Sequence, residues 1–117
     1  MNNVAMVKRI AELEETIEML LFRQDLLYSN TSIDRMLYEY QITKKQYHEI
    51  MALMDRYQEK ILMKEPVDHR TFEKEIYHIV PEQSGDYQFV EYLTRVFWEN
   101  DCWEDVFREL YEMELYY

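Results

Sequence analysis

One glycine and two prolines in 117 residues leave this chain almost nothing with which to build tight turns. β-Hairpins and nucleotide-binding α/β units both rely on glycines, at turns or at close backbone approaches. Their scarcity points to an all-α chain. Hydrophobic residues make up 48%, enough for a packed core and too many for a disordered polymer. The expected fold is a single domain over residues 1–117 with five to six helices. A coiled-coil-like helix over residues 3–28 comes first, then central helices over residues 32–80. An acidic, aromatic helical pair over residues 86–117 completes a compact bundle.

The first segment carries a heptad pattern. Met6, Ile10, Leu13, Ile17, Leu20, Gln24 and Leu27 are spaced alternately by four and three. With Ile10 and Ile17 at position a, Met6, Leu13, Leu20 and Leu27 fall at d. Ile at a with Leu at d favours a parallel two-stranded coiled coil, and a polar residue at a, here Gln24, can set register. These seven residues are the expected oligomerisation seam of a homo-oligomer. A competing reading makes the stripe one face of an intramolecular bundle. Leu21, Phe22 and Tyr28 widen the apolar face beyond a strict seam and favour that second reading.

Residues 29–32 form a polar break rich in N-cap types. A short helix follows, with Ile33, Met36, Leu37 and Tyr40 on one face. Thr43-Lys44-Lys45-Gln46 matches a capping box. The helix it opens places Tyr47, Ile50, Met51, Met54, Tyr57, Ile61 and Leu62 at helical spacing and ends before Pro66. Met51, Met54 and Met63 read as core filling. Asp68 caps a fourth helix with Phe72, Ile76, Ile79 and Val80 inward, ahead of a loop over residues 81–85. The fifth helix, residues 86–98, packs Phe89, Val90, Leu93 and Phe97. The sixth, residues 102–115, packs Trp103, Val106, Phe107 and Leu110.

Ile42-Thr43-Lys44-Lys45-Gln46 leads into Ile50-Met51-Ala52-Leu53, and the chain closes with Glu99-Asn100-Asp101-Cys102-Trp103-Glu104-Asp105-Val106-Phe107. With the helix order, these segments resemble the small YhaI-like helical proteins of Bacillus and its phages. The resemblance implies an all-helical, oligomeric fold and a Gram-positive or prophage source. It implies no catalytic residues.

Enzyme chemistry finds little footing. Gly85 stands alone, so there is no glycine-rich phosphate loop. The serines sit in caps and a loop. Glu75-Ile76-Tyr77-His78 puts a carboxylate and an imidazole on one helix face, but di-iron bundles need that motif twice. The expectation is a non-enzyme with no cofactor and no metal. The single cysteine, Cys102, excludes a disulfide framework and reads as a small buried residue. No signal peptide is expected, since the first residues lack a basic stretch followed by a long apolar one, and the longest apolar run, residues 50–54, is far shorter than the roughly 20 residues of a membrane span. A cytoplasmic protein without membrane contact follows. Residues 33–54 read as helix, turn, helix, with Lys44, Lys45, Arg56 and Lys60 beside Glu49, Asp55 and Glu59. A net charge of −11 repels DNA, so direct nucleic-acid binding is not expected.

The charge is uneven. Residues 1–80 have a net charge of −3, and residues 81–117 have −8 together with ten of the eighteen aromatic side chains. Trp and Tyr are favoured at binding hot spots, and clustered carboxylates steer towards basic partners. Trp98, Glu99, Asp101, Trp103, Glu104, Asp105, Tyr111, Glu112, Tyr116 and Tyr117 are therefore the candidate contact for a basic intracellular protein. The expected function is a phage- or prophage-type modulator that blocks such a protein, for example a nuclease, a toxin–antitoxin component or a regulator. The alternatives are a scaffolding homo-oligomer acting through its coiled coil and a DNA-binding regulator. Under a bland reading the two tryptophans are core and the carboxylates a solvated face.

Overall fold

A computed structural model describes residues 3–29 and 31–111. Six α-helices follow one another: α1 (Asn3–Ser29), α2 (Ser32–Glu39), α3 (Lys44–Leu62), α4 (His69–Ile79), α5 (Phe89–Glu99) and α6 (Glu104–Leu110). A single 3₁₀ turn, Pro81–Gln83, lies between α4 and α5. No strand occurs among the described residues, so the protein is all-α, as its glycine scarcity predicts.

The helix starts follow the local chemistry. Thr31 caps α2 by accepting from the Asp34 amide at 3.1 Å. At α3 both bonds of the capping box form. Thr43 Oγ1 accepts from the Gln46 amide at 3.1 Å, and Gln46 Oε1 accepts from the Thr43 amide at 2.9 Å. Asp68 caps α4 through the Thr71 amide.

The helix ends are less conventional. Three helices close with a left-handed residue just past the C-cap, the place glycine usually occupies. The residues here are Gln41 (φ 56°), Lys64 (φ 59°) and Asp101 (φ 60°). Each turn is locked by two bonds. After α2, the Gln41 amide donates to Tyr38 O and the Ile42 amide to Leu37 O. After α3 the pairs are Lys64 to Ile61 and Glu65 to Lys60, and after α5 they are Asp101 to Trp98 and Cys102 to Phe97. The last carbonyls are thereby satisfied without glycine, at the cost of left-handed strain in side-chain-bearing residues. Leu62 and Met63, expected at core-facing spacing, are exposed: at 100° per residue each falls about 130° from the α3 face that buries Ile50, Leu53, Met54 and Tyr57.

Helices α2 to α6 form the body. Its core holds Met36, Leu37, Ile42, Ile50, Leu53, Met54, Tyr57, Phe72, Ile76, Val80, Phe89, Val90, Leu93, Val96, Phe97, Val106, Phe107 and Leu110. The inward residues expected for α2, α4 and α5 are nearly all here; Ile33, Tyr40 and Ile79 are half-buried. Edge-on rings stitch the layers: Tyr57 on Phe72 at 4.8 Å and Tyr40 on Phe89 at 4.7 Å.

α1 is different. Its 27 residues span about 40 Å at 1.5 Å per residue, and only its last turns touch the body. Phe22 and Leu26 pack against the core, and the Arg23 guanidinium lies 4.3 Å over the Tyr38 ring. The rest projects outward. The molecule measures 63 × 28 × 27 Å, with a radius of gyration of 17.2 Å. A compact chain of this length has about 13 Å.

Candidate interaction surfaces

The arm is the feature that the rest of the fold does not account for. Leu26 is its one buried residue. Ile10 is 52% exposed, Leu13 50%, Ile17 56% and Leu20 58%; Met6, Gln24 and Leu27 are exposed as well. All seven expected seam residues thus lie on one uncovered helix face. Val7 and Leu21, both at position e, extend the apolar surface along its flank. Isolated exposed apolar side chains are ordinary, whereas a contiguous apolar stripe marks an interaction surface.

The intramolecular-bundle reading of this stripe is overturned, because the body meets α1 on another face. Phe22 and Leu26 occupy heptad positions f and c, about 160° around the helix from the a/d seam at 100° per residue. Phe22 widens the apolar face because it serves the body. Leu21 and Tyr28, which flank the seam at e, stay exposed. The signal that separates these roles is the heptad letter, which single-residue hydrophobicity hides.

The acidic end resolves differently. Trp98 is half-buried and stacks on Phe107 at 5.1 Å. Trp103, also half-buried, sets its ring edge-on to Phe97 at 4.9 Å and donates from Nε1 to Asp55 Oδ1 at 2.7 Å. These contacts hold it in a left-handed conformation, φ 48°, immediately before α6. Asp105 accepts from Gln58 Nε2 at 2.7 Å, a second tie between α6 and α3. Tyr111 is only 4% exposed, and its hydroxyl donates to Glu73 Oε1 at 2.9 Å. Burial, and after it the adjacent Glu73 carboxylate, raises the Tyr111 phenol above its ordinary value. Tyr111 is a core residue and cannot serve as a contact. A helix of seven residues has too little apolar surface to hold itself, so its neighbouring aromatics are used in docking it.

What remains outward in this segment is charge. Glu99, Asp101 and Glu109 are exposed, and Glu104 is half-exposed. Glu112, Tyr116 and Tyr117 lie outside the described residues.

Other candidate chemistry is sparse. Glu75 is half-buried while His78 is exposed on α4. Among the described residues no three His, Cys, Asp or Glu side chains are grouped to hold a metal ion. Lys44 and Lys45 stand exposed at the start of α3, with Glu49 one turn further on. An open cleft of about 630 Å³ lies at the root of the arm, lined by Leu21, Phe22 and Tyr47 and by the carboxylates of Glu18, Asp25 and Asp34. No described helix is long and apolar enough to cross a membrane.

No family model matches the chain, and neither a curated protein nor a solved structure matches it significantly.

Proposed function

We propose that this protein works without catalysis, as a homo-oligomer that joins through α1 and presents its acidic bodies to a partner. The observation that supports this is the uncovered seam from Met6 to Leu27 on a helix whose body-facing side lies elsewhere. Left in water, such a stripe has no stabilising partner. Paired with another copy, its isoleucines and leucines pack knobs into holes. The scaffolding function is thereby favoured over a function centred on the C-terminal aromatics.

The blocking of a basic protein stays within this proposal as the task of the assembled bodies. Its support is now electrostatic: residues 31–111 carry a net charge of −7, with Glu99, Asp101 and Glu109 exposed. Among the described residues, the aromatic part of the contact is narrowed to the exposed portions of Trp98 and Trp103, since Tyr111 is buried. Clustered carboxylates of this kind raise the association rate with a basic surface and weaken with salt.

The test is sedimentation of the wild-type chain beside Ile10→Asp/Ile17→Asp. Both side chains are exposed in the single chain, so the variant keeps a folded body. The wild type is expected to sediment as an oligomer and the variant as a monomer with the same cooperative melting of the body. A wild type that is monomeric at tens of micromolar, far above the ~1 µM constant that about −8 kcal/mol of association represents, defeats the proposal.

A further inference from the structure

We infer that two copies of α1 pair in parallel and in register, so that both bodies sit at the same end of a two-stranded stalk. This rests on the self-association proposed above and adds the occupant's number and direction. Three observations carry it: the first two compare the parallel pairing with the antiparallel alignment that covers the whole stripe, and the third shows that the bodies leave room for the parallel one.

The first is the flanking charge. Arg9 occupies position g and Glu14 position e, both exposed. Parallel pairing sets g against the following e of the other chain, so Arg9 meets Glu14 of the second copy twice across the two-fold axis. The antiparallel alignment sets g against g and e against e. Arg9 then faces Arg23, and Glu14 faces Glu14, so every charged flank becomes a like-charge contact. Arg23 does not turn away, because its guanidinium is held over Tyr38.

The second is the polar layer. Gln24 is exposed at position a. In the parallel pair it faces its own copy, and two amides can exchange hydrogen bonds across the axis. In the antiparallel pair it faces Met6, which offers a carboxamide only a weak thioether acceptor. Burying an amide without a partner is costly, so this layer selects direction as well as register.

The third is clearance. The body attaches through Phe22 and Leu26, about 160° from the seam. Two bodies at one end therefore lie on opposite outer sides of the stalk. Each leaves the seam open along its length. The bodies are displayed as a pair facing outward, an arrangement suited to gripping two sites or a two-fold symmetric partner.

Oxidative cross-linking tests this. Cys102 is the chain's one cysteine, so Cys102→Ser provides a thiol-free background. Into it go Met6→Cys, at the seam, and Lys8→Cys, at position f facing away. In the parallel pair the two thiols introduced at position 6 share a layer and lie within the roughly 7 Å between Cα atoms that a disulfide needs. In the antiparallel pair each lies opposite residue 24, some 27 Å along the axis from its own copy. The expected result is near-complete covalent dimer from Met6→Cys and at least tenfold less from Lys8→Cys. An equal mixture of Met6→Cys with a size-tagged Gln24→Cys probes the other direction. A mixed disulfide there, without a homodimer linked through position 6, overturns the parallel assignment while leaving self-association standing. A sedimenting mass of three or more chains also overturns it. A monomer in sedimentation overturns this inference together with the function it rests on.

Discussion

Several side chains take roles that their type would not suggest. Lys64 occupies the left-handed position that closes α3, exposed to solvent and held by backbone bonds. A non-glycine residue there costs about 1–2 kcal/mol, of which glycine's larger unfolded-chain entropy returns about 0.5–1. Lys64→Gly is therefore expected to stabilise the body by about 0.5–1 kcal/mol. Glycine at exposed Ala52, in mid-helix, should destabilise by about 1 kcal/mol. Urea unfolding of both variants checks the pair, and a destabilising Lys64→Gly would show that the lysine side chain contributes something its exposure hides. Tyr111 gives a pH test. Its phenol titrates higher in the folded chain than in the unfolded one, where it sits near 10. Tyr57 behaves similarly, pushed up to about 12 by burial and then by the nearby Glu75 carboxylate. Groups with raised folded values contribute stability that is complete below the unfolded value and is lost as the pH climbs past it. Stability should therefore fall steeply above about pH 10. Tyr111→Phe should be weaker than wild type at pH 8 but lose less stability on going to strongly alkaline pH. An unchanged alkaline slope would remove Tyr111 from this account.

At the scale of elements, α1 is the helix with least support from its own chain. Helices without tertiary contacts are marginal in water, and most helical stability comes from burying an apolar face. The stretch from Asn3 to about Leu20 has no such face buried within one chain. Its helicity and its pairing should therefore rise and fall together. Amide hydrogen exchange is expected to be slow from Ile10 to Leu20 in the wild type. In Ile10→Asp/Ile17→Asp it should become fast there, while protection in α3 and α5 persists. Protection of that stretch in the monomeric variant would mean that something within the chain covers it. α6 stands at the other extreme. It is short, but the bonds from Trp103 to Asp55 and from Gln58 to Asp105 fasten its start to α3.

For the whole molecule, charge and shape pull against each other. Each body carries a net −7 over residues 31–111, and the proposed parallel pairing would bring two of them to one end of the stalk. In a molecule 28 Å in its second dimension, the charges of two such bodies interact across a screening length of about 30 Å at 0.01 M salt and are largely screened by one of about 8 Å at 0.15 M. Dimerisation is expected to tighten several-fold between those salt concentrations, measured as the dissociation constant by sedimentation equilibrium. Weakening over that range would mean that the Arg9–Glu14 pairs outweigh repulsion between the bodies. Binding to a basic partner should show the opposite salt dependence, which separates the two interactions experimentally.

The helical character, the capping box at Thr43, the cap at Asp68 and most of the core were legible in the residues, because they depend on neighbours within a few positions. So was the spacing of the seam. Helix ends were less legible, since left-handed closure by Gln41, Lys64 and Asp101 leaves no glycine to mark it. Two matters needed the tertiary structure. The heptad of α1 suits an internal bundle or an external partner, with Leu21, Phe22 and Tyr28 inclining the sequence towards the bundle, and only the location of Phe22 and Leu26 against the body leaves the seam uncovered. The aromatics of the acidic end suit a binding face or a core equally well. Tyr111 became core, and Trp98 and Trp103 became half-buried, because α6 had to be held by contacts with α3 and α5. Local chemistry determines what each segment can bury; the packing of distant segments determines which of those faces is actually covered.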